Sequence, residues 1–190
     1  MSTIRNLLAE HRGKSVIIYC FSRSNTESLA EDLNQAGFKA NAYHAGMTPG
    51  DRVVIQEAFI KDEVPIITAT IAFGMGINKP DVRLIVHMDL PKSVEGYYQE
   101  TGRAGRDGLP ADCVLFYFYA DKFKQEYFIR QIENPDERTR AQEKLKVMIS
   151  FCESYRCRRK FLLEYFCNLR DFRQNQFPNN LLPAKVCLYK

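Results

Sequence analysis

Five short apolar runs separated by helical periodicities predict an α/β fold with a parallel sheet between helices. Three observations carry that expectation. The runs at 15–20, 38–43, 65–69, 83–88 and 112–117 are nearly continuous in apolar residues, as strands buried on both faces must be. The stretches between them repeat apolar residues at helical spacing. Capping residues and prolines punctuate the junctions where one period gives way to the other.

The elements follow in order. A helix ends before Gly13, and SVIIYC forms the first strand. Residues 25–35 place Leu29 and Leu33 at i, i+4, with Ser24 and Glu27 spaced as a capping box. Thr48-Pro49 opens the next helix, because proline at the first helical position is preset for it, and Val53, Val54, Ala58 and Phe59 supply its apolar face. A third helix covers 93–101. Beyond Tyr119 the pattern turns helical: 121–132, then a long helix after Pro135 with Leu145, Met148, Ile149 and Cys152 on one side, then 158–166. The polar, proline-containing stretch from Asn168 shows no period. This divides the chain into an α/β lobe at 1–120, a helical subdomain at 121–167 and an irregular or disordered tail at 168–190.

Composition bounds the function without choosing it. The 190 residues are 45% hydrophobic and 26% charged, as expected of a globular domain, and no apolar run reaches membrane-spanning length. The opening residues lack a signal-peptide pattern, which points to a cytoplasmic or nuclear setting. The formal charge of +4 is uneven: residues 151–190 hold 8 Lys+Arg against 3 Asp+Glu, whereas 1–150 hold 19 against 20. A basic end suits nucleic acid, and equally a solvated tail. Six cysteines form no C-x-x-C pair; Cys20 and Cys113 fall within strands and read as buried thiols.

Open parallel sheets bind ligands at the carboxyl ends of their strands. Those ends carry Ser22-Arg23, His44-Ala45-Gly46, Thr70 and Asp89. Several familiar sites are excluded. Gly13-Lys14-Ser15 has the tail of a P-loop, but Leu8 stands where the first glycine belongs, and the stretch leaves a helix for a strand rather than the reverse. Gly74-Met75-Gly76 lacks the third glycine of a dinucleotide fingerprint, since Lys79 occupies that place. The three histidines are scattered, and no Gly-x-Ser-x-Gly occurs.

What remains is TATIAFGMGINKPDVR (68–83) followed by HMDLPKSVEGYYQETGRAGRDG (87–108). These resemble motifs V and VI of the RecQ family of ATP-dependent DNA helicases, and IIYCFSRSNTESLAEDL with AYHAGM resembles the motif IV region. The resemblance runs from about Ser15 to Phe166. It implies a motor of two RecA-like lobes, with ATP and Mg²⁺ held in the cleft mainly by the first. The P-loop and acidic box of that lobe are not among these residues, so the chain looks like the second lobe, inactive alone.

Site residues carried over from the resemblance are expectations of the same kind. Arg106 is the arginine finger and Arg103 its γ-phosphate-sensing neighbour; the rival reading is a surface pair neutralised by Glu100 and Asp107. Gln99, Gly74, Gly76 and Asn78 lie on the ATP side, Asn78 standing where related helicases often carry Asp. Thr70 contacts a DNA phosphate, and Ser22, Arg23 and His44 are backbone contacts. For these last three an N-cap, a solvated charge and a satisfied histidine are open alternatives.

The implied partners are single-stranded and partly duplex DNA and the first lobe, with 3′ to 5′ polarity and a role in DNA repair and recombination. RecQ proteins usually continue into a zinc-binding subdomain with four cysteines. Only Cys157 matches the first, and the remaining spacing does not suit tetrahedral Zn²⁺, so zinc is not expected and the tail reads as truncated or altered. A silent nucleic-acid-binding or regulatory fragment and an RNA helicase lobe are the competing readings.

Overall fold

A computed structural model describes residues 2–73 and 77–167, and the backbone of 184–189. Its elements are α1 (Ser2–Glu10), β1 (Ser15–Tyr19), α2 (Arg23–Gln35), β2 (Ala40–Tyr43), α3 (Pro49–Ile60), β3 (Ile66–Ala69), β4 (Val82–His87), α4 (Val94–Thr101), β5 (Ala111–Phe116), α5 (Tyr119–Arg130), α6 (Pro135–Glu153), α7 (Arg158–Cys167) and β6 (Ala184–Tyr189). The strands form one sheet in the order β2-β3-β1-β4-β5-β6. Every pairing is parallel. The parallel α/β lobe expected from the apolar runs is therefore what forms.

Strand alternation sorts side chains to two faces. Val16 and Ile18 join Leu84, Val86 and Val114 under α1 and α2, where Leu7, Leu8, Leu29 and Leu33 cover them. Ile17 and Tyr19 point the other way, joining Ile67, Ile85 and Cys113 beneath Phe59 of α3 and Phe73. A third cluster seats the helical region: Tyr97 and Leu115 pack with Leu145, Met148, Phe151, Cys152 and Leu162. The Tyr117 hydroxyl donates to Glu153 Oε1 at 2.9 Å, tying the end of the sheet to α6. Among the described residues no helix is long and apolar enough to cross a membrane.

Three expectations need correction. The cap of α2 is Ser22, whose hydroxyl accepts from the Asn25 amide; Ser24 lies inside the helix and Glu27 turns to His44 instead. Ser22 lacks the glutamate of the capping box, since Asn25 stands three residues on, yet the structure caps the helix with it. Val53 and Val54 of α3 are exposed, at 55% and 68%, and only Phe59 of the expected face is buried. Finally, Ala184–Tyr189 is not irregular: it pairs with β5 from Ala111↔Ala184 to Phe116↔Tyr189. Without it β5 would present an edge of unpaired backbone groups, which a short β-prone run can complete. The rest of the expected tail, 168–183 and Lys190, lies outside the described residues.

Candidate functional site

From β1 the chain moves to β2 and β3 on one side, then crosses to β4, β5 and β6 on the other. The crevice at the carboxyl ends of β1, β3 and β4 is thus the topological switch point of the sheet. A cavity of about 470 Å³ opens there. Tyr19, Phe21, Thr70, His87 and Asp89 line it from the strand ends, and Ser93, Gln99, Glu100 and Arg103 from α4 and the turn after it.

The walls are held by specific bonds. Asp89 Oδ2 accepts from the Phe21 amide at 2.9 Å and pairs through its other oxygen with Lys124 of α5. Gln125, buried, donates to the Leu90 carbonyl at 2.7 Å. His87 Nε2 lies 2.7 Å from Glu100 Oε2, and its ring stacks on Tyr19 at 5.1 Å. The Tyr19 hydroxyl donates to the Phe73 carbonyl at 3.1 Å. Burial pushes the pKa of Tyr19 up, against the opposing pull of the Arg103 guanidinium beside it. Burial likewise pushes the Cys20 thiol up to about 12, with Asp89 adding to the shift, so this thiol is inert rather than nucleophilic.

The loop after α4 explains its glycines. Gly105 and Gly108 have φ of 61° and 82°, a left-handed conformation that glycine adopts without steric cost. Between them the chain is clamped to the amino end of β4: Gly105 donates to the Val82 carbonyl at 2.9 Å, and Asp107 forks to Arg83. The Arg83 hydrogen bond holds the Asp107 carboxyl below its usual range.

The expected site residues separate into groups. Thr70, Gln99 and Arg103 share the cavity. Arg106 does not line it; its Nε donates to the Gly102 carbonyl at 3.1 Å and its Nη1 to the Ile77 carbonyl at 3.3 Å, which joins the two glycine-rich stretches next to exposed Asn78. The rival reading of the arginines as neutralisers of Glu100 and Asp107 finds those carboxylates bonded to His87 and Arg83. Ser22, Arg23 and His44 gather around the start of α2. Ser22 is the cap, and buried His44 places Nε2 2.9 Å from Glu27 Oε1. Arg23 is exposed and folds across Gly46, where an added Cβ would meet its guanidinium at 2.9 Å. Gly74 and Gly76 lie outside the described residues.

Sequence reasoning missed Tyr19, His87 and the Asp89–Lys124 pair as parts of the site. The first two sit in apolar strands and read as core; the third joins residues 35 positions apart. Among the described residues no three or more His, Cys, Asp or Glu side chains gather as a metal site. Cys157 is exposed and Cys167 buried.

Comparison with known proteins places these features in context. The family model described as "Helicase conserved C-terminal domain" matches residues 1–108, and the one described as "RecQ zinc-binding" matches 119–177. The second match weighs against the expectation that zinc is absent, and it continues ten residues past Cys167, where the family pattern was expected to fail. The ATP-dependent DNA helicase RecQ of Haemophilus influenzae is 50% identical over 186 residues, 97% of this chain and 30% of that protein. The RecQ-like DNA helicase blm-1 of Caenorhabditis elegans is 40% identical over 190 residues, 98% of this chain and 19% of that one. The chain therefore spans less than a third of the length of these curated relatives. Among solved structures, a DEAD box protein from Methanococcus jannaschii superposes with a TM-score of 0.58 at 26% identity, covering 68% of this chain and 35% of that one. The DEAD-box protein SrmB of E. coli gives the same score and identity over 72% of this chain and 84% of that one.

Proposed function

This chain belongs to the RecQ helicase family, as its helicase C-terminal domain and the region that follows; from that premise we propose that it is the second motor lobe of an ATP-dependent 3′ to 5′ DNA helicase. The observation that carries the reading is the joining of the two glycine-rich stretches by Arg106, beside a switch-point cavity that Arg103 and Thr70 share.

In phosphoryl transfer, an arginine brought from outside the phosphate-binding loop stabilises charge on the transferring group, an effect of roughly 10³–10⁵ in rate in GTPases. Arg106 is suited to that role. Two backbone carbonyls orient its guanidinium while the side chain stays exposed. Arg103 reports the γ-phosphate, and Gln99 and Asn78 flank the nucleotide. Bound ATP and Mg²⁺ supply the phosphoryl group and its counter-charge, held mainly by the first lobe. Thr70, Arg23, Ser22 and His44 face the DNA backbone at the carboxyl edge. Closure of the two lobes brings Arg106 to the triphosphate, so hydrolysis is coupled to movement along the strand.

The test is complementation. The 190 residues alone have no ATPase above background, with or without single-stranded DNA. Joined to a RecQ first lobe they acquire DNA-stimulated turnover, which Arg106→Ala removes while ATP and DNA binding persist. Turnover by the isolated chain, or survival of turnover in the variant, refutes the assignment. Stimulation by RNA beyond that by DNA identifies an RNA helicase lobe instead.

A further inference from the structure

Helix α5 inverts the usual amphipathic order. It buries Gln125 and exposes Tyr119, Phe123 and Tyr127, at 60%, 58% and 61%. Residues four apart on a helix share one face and rise about 6 Å per step. The three rings therefore make a ladder along the outer side of the helix rather than a scattered set.

The ladder is braced from beneath and joined to the site already described. Tyr119 meets Phe123 edge-on at 5.6 Å, and Tyr127 meets Phe128 at 5.4 Å. Phe128 packs on Phe21 at 5.1 Å, and Phe21 directly precedes Ser22 and Arg23. Cations flank the ladder on both sides. Lys124 lies 4.1 Å from the centre of the Phe21 ring, and Lys122 lies 5.7 Å from that of Tyr119. Lys122 and Arg130 also border a groove of about 500 Å³ between α5 and α6, to which Lys146 adds a third charge.

We propose that the outward face of α5 is a stacking surface for the bases of unpaired DNA, extending the strand path that starts at the β1–α2 turn; this rests on the functional reading above. The exposed rings are aromatic rather than aliphatic, they repeat at even intervals, and lysine and arginine run alongside. Single-stranded nucleic acid has that composition in complement, flat apolar bases alternating with phosphates, and the proteins that hold it combine aromatic platforms with basic grooves. A protein contact would also use Tyr, Phe and Arg, but its core is depleted of lysine, whereas Lys122 and Lys124 border this face.

The experiment measures binding of the 190-residue chain to a fluorescent oligothymidylate across a salt series. Replacing Tyr119, Phe123 and Tyr127 together by Ala weakens binding tenfold or more and leaves the salt dependence unchanged. Lys122→Ala with Arg130→Ala lowers the slope of log K against log salt by about one to two. Tyr155→Ala, which removes a fully exposed ring away from this helix, has no effect. In the unaltered protein, an oligonucleotide carrying 5-iododeoxyuridine crosslinks to α5 on irradiation, a readout independent of whether the triple variant folds.

A change below twofold in the triple variant, or crosslinks confined to the β1–α2 turn, overturns the proposal. If Thr70→Ala still weakens binding in that case, the motor-lobe reading stands alone. Loss of self-association in the triple variant with unchanged DNA affinity also overturns it, in favour of a protein contact. No DNA binding by the unaltered chain overturns both.

Discussion

The two edges of the sheet are built for different purposes. At the amino edge several charges are spent on other parts of the chain. Lys79 Nζ lies 2.7 Å from Asp62 and 3.3 Å from Asp81; Arg83 forks to Asp107; His11 lies 3.1 Å from Asp112; and the Ser15 hydroxyl donates to Asp62. These contacts close the starts of β1, β4 and β5. At the carboxyl edge the strands end around a cavity instead, with Thr70, Gln99 and Arg103 on its walls. The same sheet thus separates stability from function by direction.

The largest effect that tests this division is at Arg103. With the first lobe present, Arg103→Ala lowers ATP turnover by about 100-fold, equivalent to about 2.7 kcal/mol of barrier. The thermal midpoint stays within about 2 °C. A large fall in the midpoint together with activity would place Arg103 among the structural clasps and break the comparison. Lys79→Ala gives the opposite signature. It removes a buried cation from two carboxylates and strips its stem from the Phe59 ring, 5.5 Å from Nζ. Because the carboxylates of Asp62 and Asp81 are 65% and 45% exposed, the loss is at the low end for charged hydrogen bonds, about 1–2 kcal/mol by denaturant unfolding. Affinity for single-stranded DNA changes by less than threefold.

How far the sequence foretold this division depends on range. The first five strands begin and end within two residues of their expected bounds, because continuous apolar runs between turn residues leave few other options. β6 was missed because its run is short and follows a long polar stretch; the need for it lies in the open edge of β5, whose partners are 73 positions away in sequence. Val53 and Val54 misled for a related reason: apolar character at helical spacing does not say which neighbour will be there to cover it. Thr70, Gln99 and Arg103, singled out because they belong to contiguous motifs, do meet at the cavity, whereas Arg106 does not line it. Tyr19 and His87 were not legible, since a ring inside an apolar strand looks like core until its polar atom is seen to face a cavity. Apart from Lys79–Asp81, the ion pairs of the amino edge were invisible, joining residues from 17 to 101 positions apart.

Acid titration sharpens the comparison further. The Lys79 and Arg83 hydrogen bonds hold the carboxyls of Asp62 and Asp107 below the ordinary aspartate value of 3.8. A carboxyl whose pKa is depressed on folding contributes stability that is complete above the unfolded value and lost as pH falls through the folded one. The amino edge therefore loosens below about pH 4. The stability gap between the protein and its Asp62→Asn, Asp107→Asn variant is widest near pH 6 and closes towards pH 2, as measured by chemical unfolding at each pH. A gap independent of pH would show that these carboxylates are not the clasp.

The smallest effect concerns reactivity rather than energy, and it tests whether the open edge is open in the sense described. Cys20 stands at the cavity's rim, yet it is buried and its thiol titrates only at about 12. Cys157, at the start of α7, is exposed. Brief treatment with iodoacetamide at pH 8, followed by peptide mass spectrometry, modifies Cys157 and leaves Cys20 intact, because alkylation requires an accessible thiolate. Raising the pH alone does not make Cys20 react while the fold holds, since access and ionisation are both denied. Labelling of Cys20 in the native protein would mean that the strand ends part readily. The cavity would then be a breach in the core rather than a site held open by Asp89, Gln125 and the His87–Glu100 pair, and the distinction between the two edges would be one of degree.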